Sequence, residues 1–269
     1  MIAFPKEKEM DNLGASQRRS LILETLKRTQ IVRVADLSQL FGVTMVSVRR
    51  DLKILEKNGH LRRIHGGAVP VRTPEMSDLL RTRSEERAAV KERIGRAAAE
   101  LIEKSDNIIL DSGTTPLQVA KNIPYDLINN GNLSVITNSL PIVHALGAEK
   151  TVHLIFLGGI FVHDYGVVVG PRTLDHIRTL HADKMFLGTD GLTFSQGITT
   201  ANVLEAEVSQ ALVKASSEVI VVADSSKIGS KGLATIVPVT EVDKLITDKD
   251  APENFIGQLK DNGVEVIQV

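Results

Sequence analysis

Residues 32–70 read "VRVADLSQLFGVTMVSVRRDLKILEKNGHLRRIHGGAVP", and the spacing within this stretch decides how the chain begins. Val34, Leu37, Leu40 and Phe41 share one face of a short helix, which Gly42 ends at a left-handed or open turn. Thr44 is placed to cap the next helix, with Ser47 at its third position. Val48, Leu52 and Leu55 then recur at i, i+4 and i+7, a stripe suited to burial. Met45, Ser47, Arg49, Arg50 and Lys53 are left on exposed or flanking faces. After the stop signal "KNG" (57–59), "HLRRIHGGAVP" reads as a hairpin: a strand from Leu61 to Ile64, the turn pair Gly66-Gly67, and a return strand ended by Pro70. Upstream, "SQRRSLILETLKRT" (16–29) is another helix, with Ser16 as candidate cap and Ile22, Leu23 and Leu26 for its buried face.

Short helices followed by a basic hairpin describe a winged helix-turn-helix. In such folds the second helix of the motif enters the major groove of a DNA duplex. Arginine suits that place because its planar fork binds guanine O6 and N7, yet it serves phosphate equally well, so both roles stay open for Arg49 and Arg50. The DNA-facing candidates are Thr44, Met45, Ser47, Arg49, Arg50 and Lys53, with Arg62, Arg63 and His65 on the hairpin. A plain helical bundle is the competing reading, in which the arginines pair with Asp51 or Glu56. Charge separates the two. Residues 1–73 hold 14 Lys and Arg against 7 Asp and Glu, while the remaining 196 hold 18 against 26. A basic module joined to an acidic one favours a double-stranded DNA operator as partner.

The same residues resemble the DNA-binding domain of DeoR-family bacterial transcriptional regulators. The resemblance runs from Ala15 to Pro70, and "VRRDLKILEKNGHLRRIHGGA" (48–68) is highly specific to it. On the family pattern the helix-turn-helix occupies Val32 to Asp51. Residues 1–14 read as a frayed, charged tail.

Residues 71–87, "VRTPEMSDLLRTRSEER", are polar, contain Pro74 and read as a linker. A helix follows through "AAVKERIGRAAAELIEK" (88–104). Apolar stretches then alternate with helical patterns: "NIILDSGTT" (107–115), "LSVITNS" (133–139), "VHLIFLGG" (152–159), "KMFLGTDGL" (184–192), "EVIVVADSS" (218–226), "VDKLITD" (242–248) and "VEVIQV" (264–269). The expected fold is therefore α/β: an N-terminal winged helix-turn-helix joined to a larger α/β domain, over 88–269, with a largely parallel sheet.

Ligands in such sheets bind beyond the carboxyl ends of the strands, so polar strand ends are the candidate site. The clearest is Asp111-Ser112-Gly113-Thr114-Thr115, with Pro116 in the first turn of a helix. Gly113 allows close backbone approach, and hydroxyls with free N–H groups at a helix start surround a phosphate well. An ordinary strand–turn–helix connection uses the same residues. Asn138, Ser139, Gly158, Asp190 and Lys227 also follow strands, Lys227 as a cation for phosphate and Asp190 as an acceptor for hydroxyls.

The order of these stretches resembles the DeoR-family C-terminal sensor domain over about residues 88 to 250, a domain similar to ribose-5-phosphate isomerase and glucosamine-6-phosphate deaminase. The resemblance implies a phosphorylated-sugar effector held by "DSGTT" and by the "ADSSK" loop at 223–227. An isomerase or deaminase is then the rival reading, with Asp190, Glu205 and Glu207 as acids. Those isomerases carry a lysine in a glycine-rich stretch between such acids, and Gly191 to Leu204 contains none, so a binding-only pocket that includes Glu205 is expected. No cofactor or metal is expected: the chain has no cysteine, and His176 and His181 stand five apart, which suits no common metal pair on a helix. No apolar run is long enough to span a bilayer, and a cytoplasmic homodimer or homotetramer acting on repeated half-sites is expected.

Overall fold

The structure is a computed structural model that describes residues 14–29, 31–70, 77–130 and 132–269. The expected tail through Leu13 and residues 71–76 of the expected linker lie outside the described residues. Two compact units divide the chain at 75/76, and each is described by itself.

The smaller unit runs α1 (Ala15–Thr29), β1 (Val32–Arg33), α2 (Val34–Leu40), α3 (Met45–Lys57), β2 (Leu61–Ile64) and β3 (Gly67–Pro70). The Arg18 N–H donates to the Gly14 carbonyl, so α1 starts ahead of Ser16, which lies inside the helix and not at its cap. Gly42 takes φ 63°, and the Val43 N–H closes back onto the Ser38 carbonyl to end α2. Val34, Leu37 and Phe41 are buried with Ile22, Leu26, Val48, Leu52 and Leu55 in one core. Leu40 is exposed, because its direction lies about 100° from that of Phe41 around the helix. The wing gains a third strand that the sequence does not announce: β1 pairs with β3, giving the order β1-β3-β2. A Cβ on Gly67 would lie 2.1 Å from the Val32 carbonyl oxygen, so this pairing requires glycine there.

The larger unit begins inside the expected linker. Residues 77–87 hold α4 (Asp78–Glu85), capped by Ser77, whose hydroxyl accepts from the Leu80 N–H and donates to the Asp164 carbonyl. Leu80 is the one buried side chain of α4, too little for a helical stripe to show in sequence.

Then come α5 (Ala88–Ala99), β4 (Asn107–Leu110), α6 (Thr114–Lys121), α7 (Tyr125–Asn129), β5 (Ser134–Thr137), α8 (Leu140–Leu146) and β6 (His153–Phe156). They are followed by β7 (Ile160–Val162), β8 (Val167–Val169), α9 (Pro171–Ile177), β9 (Ala182–Leu187), β10 (Gly191–Thr193), β11 (Gly197–Thr200) and α10 (Val203–Lys214). The chain closes with β12 (Ser216–Val222), β13 (Ala234–Val237), β14 (Lys244–Thr247), α11 (Glu253–Asp261) and β15 (Glu265–Gln268).

The main sheet has the order β15-β14-β12-β9-β4-β5-β6, and every pairing in it is parallel. Its inner strands β4, β9 and β12 end in unbroken buried apolar runs because both faces are covered there. Ile108, Leu110 and Phe186 face a core that includes Ile94 of α5 and Leu117 of α6, whereas Ile109, Met185 and Leu187 face one that includes Val208 and Leu212 of α10. From β4 the chain winds outward through β5 and β6, then returns to β9 on the other side of β4. That reversal opens a crevice beyond the carboxyl ends of β4 and β9.

Candidate functional site

In the smaller unit, α3 is held at its start by Thr44, whose hydroxyl accepts from the Ser47 N–H at 3.2 Å. The two acids that could have neutralised Arg49 and Arg50 are engaged elsewhere. Asp51 is buried and bonded to Arg18 Nε at 2.7 Å and Arg19 at 3.3 Å, which ties α3 to α1. Glu56 accepts from Arg63 Nε at 2.6 Å and from the Arg63 backbone N–H at 2.9 Å, which ties α3 to the wing. The hydrogen bonds from Arg63 hold the Glu56 carboxyl below its ordinary value. Met45, Arg49, Arg50, Lys53, Arg62 and His65 are exposed, and among the described residues Arg49, Arg50 and Lys53 form no ion pair. The competing pairing of the arginines with Asp51 or Glu56 therefore does not form. Thr44 is exposed and Ser47 half-buried at the cap, and Arg63 is exposed but bonded to Glu56.

In the larger unit a cleft of about 660 Å³, counted with its open mouth, lies at the β4/β9 crevice. Asp111, Ser112, Gly113, Thr114 and Thr115 line it after β4, and Asp190, Glu205 and Lys227 reach it after β9, from α10 and after β12. Gly113 takes φ 113° ahead of α6. A Cβ on Gly188 would lie 2.7 Å from the Ser112 carbonyl oxygen, so the loops after β4 and β9 touch backbone to backbone.

Asn138, Ser139 and Gly158 are not brought into the cleft. The carboxyl end of β5, one strand farther out, is closed over by β8: the Val168 N–H donates to the Asn138 carbonyl, and Asn138 Nδ2 donates to the Val168 carbonyl at 3.2 Å. Ser139 bridges Val167, and Gly158 lines a separate cleft with Arg172 and His176.

Arg83, Lys91, Tyr165, Thr200 and Ser209 join the site unannounced. Arg83 of α4 forms an ion pair with Asp190, which also accepts from the Thr200 hydroxyl at 3.1 Å and the Ala201 N–H at 2.9 Å. Lys91 is buried and donates to the Arg83 carbonyl at 2.5 Å, and burial lowers its ammonium pKa. Its position was legible, since Lys91 shares a helical stripe with Ile94 and Ala98.

Two buried carboxyls line the cleft, and the charge of one acts on the other. Asp111 accepts from Ser209 Oγ at 3.1 Å, and burial pushes its pKa up to about 6 against the hydrogen bonds from Ser112, Ser209 and Gly188. Glu205 is pushed up to about 7, first by burial and then by the charge of Asp111, with Arg83 opposing. Arg87, which enters α5 at φ 51°, bonds Asp224 and Asp248 and so ties the end of α4 to the strand ends of β12 and β14. Among the described residues no His, Asp and Glu cluster could hold a metal ion, and no helix is long and apolar enough to cross a membrane.

A winged helix-turn-helix with an unneutralised cationic helix, and a parallel-sheet unit with a polar cleft at its switch point, define a DNA-binding regulator that carries a sensor unit. Comparison with known proteins makes this specific. The DeoR-like helix-turn-helix domain matches residues 18–73 and the DeoR C terminal sensor domain residues 86–249, so the chain belongs to the DeoR family of transcriptional regulators. It is 32% identical to the HTH-type transcriptional repressor GlcR of Bacillus subtilis (93% of this chain, 95% of that one). It is 33% identical to the transcriptional repressor AccR of Agrobacterium fabrum (87% and 90%). It is 31% identical to the glycerol-3-phosphate regulon repressor of Escherichia coli K12 (93% and 98%). The chain is a regulator and not an enzyme.

Proposed function

We propose that this regulator represses an operon for carbohydrate use, and that a phosphorylated sugar bound in the β4/β9 cleft controls it. On DNA, α3 lies in the major groove with Met45, Arg49, Arg50 and Lys53 towards the duplex, and Arg62, Arg63 and His65 follow the backbone from the wing. Thr44 and Ser47 hold the helix start. A single unit reads few base pairs, so two or four copies act on repeated half-sites.

In the cleft, phosphate takes the N–H groups and hydroxyls of 112–115 together with Lys227, while Asp111, Asp190 and Glu205 bond sugar hydroxyls. The observation that carries this reading is the meeting of a hydroxyl-rich helix start with Arg83, Lys91 and Lys227 in one cleft. The similar glycerol-3-phosphate regulon repressor of Escherichia coli K12 is named for a phosphorylated polyol, which agrees with it.

The linker read at 71–87 ends in α4, and α4 is the element that answers the ligand. A phosphate competes with Asp190 for Arg83, and α4 lies in that linker, so a changed hold on α4 reaches the DNA-binding unit along the chain. Fluorescence anisotropy on the DNA upstream of the chain's own operon, repeated with a panel of sugar phosphates, tests the whole. One sugar phosphate should shift DNA affinity and be recovered unchanged. Affinity that no compound alters would refute the sensor reading, and conversion of a compound would restore the isomerase.

A further inference from the structure

Val46 takes no part in the reading above. At about 100° per residue around α3, the buried side chains Val48, Asp51, Leu52 and Leu55 gather on one side. The opposite direction passes through Val46 and Lys53, with Arg49 and Arg50 on either flank. Val46 is 71% exposed, so the middle of the outward face is a branched hydrocarbon. Folding does not ask for it: Val46 belongs to no core, and valine is a weaker helix former than alanine.

The surroundings say what covers this face. Among the described residues its cations form no ion pair, since Asp51 is bonded to Arg18 and Arg19 and Glu56 to Arg63. Charge complementarity therefore calls for a polyanion that also offers hydrocarbon at the point of closest approach. In duplex DNA the apolar group on the major-groove edge is the thymine 5-methyl.

We propose that Val46 is a specificity-determining residue that packs its isopropyl group against the 5-methyl of one thymine in each operator half-site. This rests on the reading that α3 faces DNA, and the two can fail separately. The full chain is used to select a binding site from random duplexes, and each thymine of that site is then replaced by deoxyuridine, which removes the methyl alone. Wild type should lose about fourfold in affinity per half-site at one thymine, the factor for burying one methyl-sized group. Val46→Ala should bind the thymine site more weakly by a similar factor and be indifferent to the uracil exchange at that position, with unchanged circular dichroism. An exchange effect that persists undiminished in Val46→Ala, a variant that binds like wild type, or a selected site without a thymine dependence would overturn the proposal. If Arg50→Ala also leaves binding intact, the placement of α3 itself falls. If Arg50→Ala weakens binding while Val46→Ala does not, only the role of Val46 falls.

Discussion

Replacing Glu205 by glutamine should stabilise the larger unit at alkaline pH and leave it unchanged in acid. Glu205 is only 6% exposed, and its pKa rises from an ordinary 4.5 to about 7 because burial and then the neighbouring Asp111 charge disfavour the anion. In the unfolded chain the group loses its proton near the ordinary value, whereas in the folded chain it keeps the proton until about 7. Between those values the folded state binds more protons, so stability falls as pH rises through the window and levels off above it. At about 1.4 kcal/mol per pH unit, the ceiling on this loss is roughly 3 kcal/mol. Asp111 adds a loss of the same sign between 3.8 and about 6. Thr200 opposes the rise only in part: its hydroxyl lies 3.1 Å from Asp190 Oδ2 and 3.4 Å from Glu205 Oε2, and its single proton serves one of them. A protonated Glu205 can donate where an anion would stay short of a donor. Both tyrosines, Tyr125 and Tyr165, lie in the larger unit and there is no tryptophan, so urea unfolding followed by tyrosine fluorescence reports on that unit. Wild type should weaken from pH 5 to pH 8 by up to about 4 kcal/mol, and Glu205→Gln only by the Asp111 share of about 1 kcal/mol. Equal pH dependence in the two proteins would refute the assigned protonation.

Three further outcomes are expected. Asp51→Asn leaves Arg18 and Arg19 facing a neutral amide at a buried position, and should cost the smaller unit about 2–3 kcal/mol, read as an earlier far-UV transition on heating. Arg49→Ala should weaken operator binding by ~1–3 kcal/mol with relaxed preference at one base pair if it reads a base, or uniformly across sequences with a shallower salt dependence if it holds phosphate. Thr114→Val should leave operator affinity intact and blunt the response to the sugar phosphate; loss of both in the anisotropy assay would mean that the unit has not folded.

The smaller unit was legible from 32–70 because its determinants are local. A cap at Thr44, a left-handed Gly42 and the stripe Val48, Leu52 and Leu55 each act within a turn or two of helix. What escaped notice there is long-range: the pairing of Val32 with Ala68, and the engagement of Asp51 by arginines more than thirty residues away. The cleft divides the same way. Loops that directly follow β4 and β9 were placed from strand-end chemistry, but strand ends alone do not give strand order. Asn138 and Gly158 follow strands of the same sheet, yet β5 and β6 lie outside the crevice, and β8 covers the first. Arg83 looks like linker in the sequence because α4 buries a single leucine, and its cation carries no local sign of a partner 107 residues onward.

The strength of that long-range ion pair bears on the proposed control by a sugar phosphate. A regulator that changes operator affinity ten- to a hundredfold needs a coupling free energy of about 1.4–2.8 kcal/mol. The Arg83 side chain is 28% exposed and that of Asp190 17%, so their bond lies between a surface pair, worth up to about 1 kcal/mol, and a buried one, whose loss costs about 3–5 kcal/mol. A sugar phosphate that took over Arg83, as proposed, would exchange one anion for another and leave Asp190 with Thr200 and the Ala201 N–H, so neither charge would be stranded. The exchange is therefore close to balanced, so a sugar phosphate could displace Asp190 from Arg83 at little net electrostatic cost. A fully buried pair in this place would hold α4 against any ligand, and a fully exposed one would leave nothing to exchange.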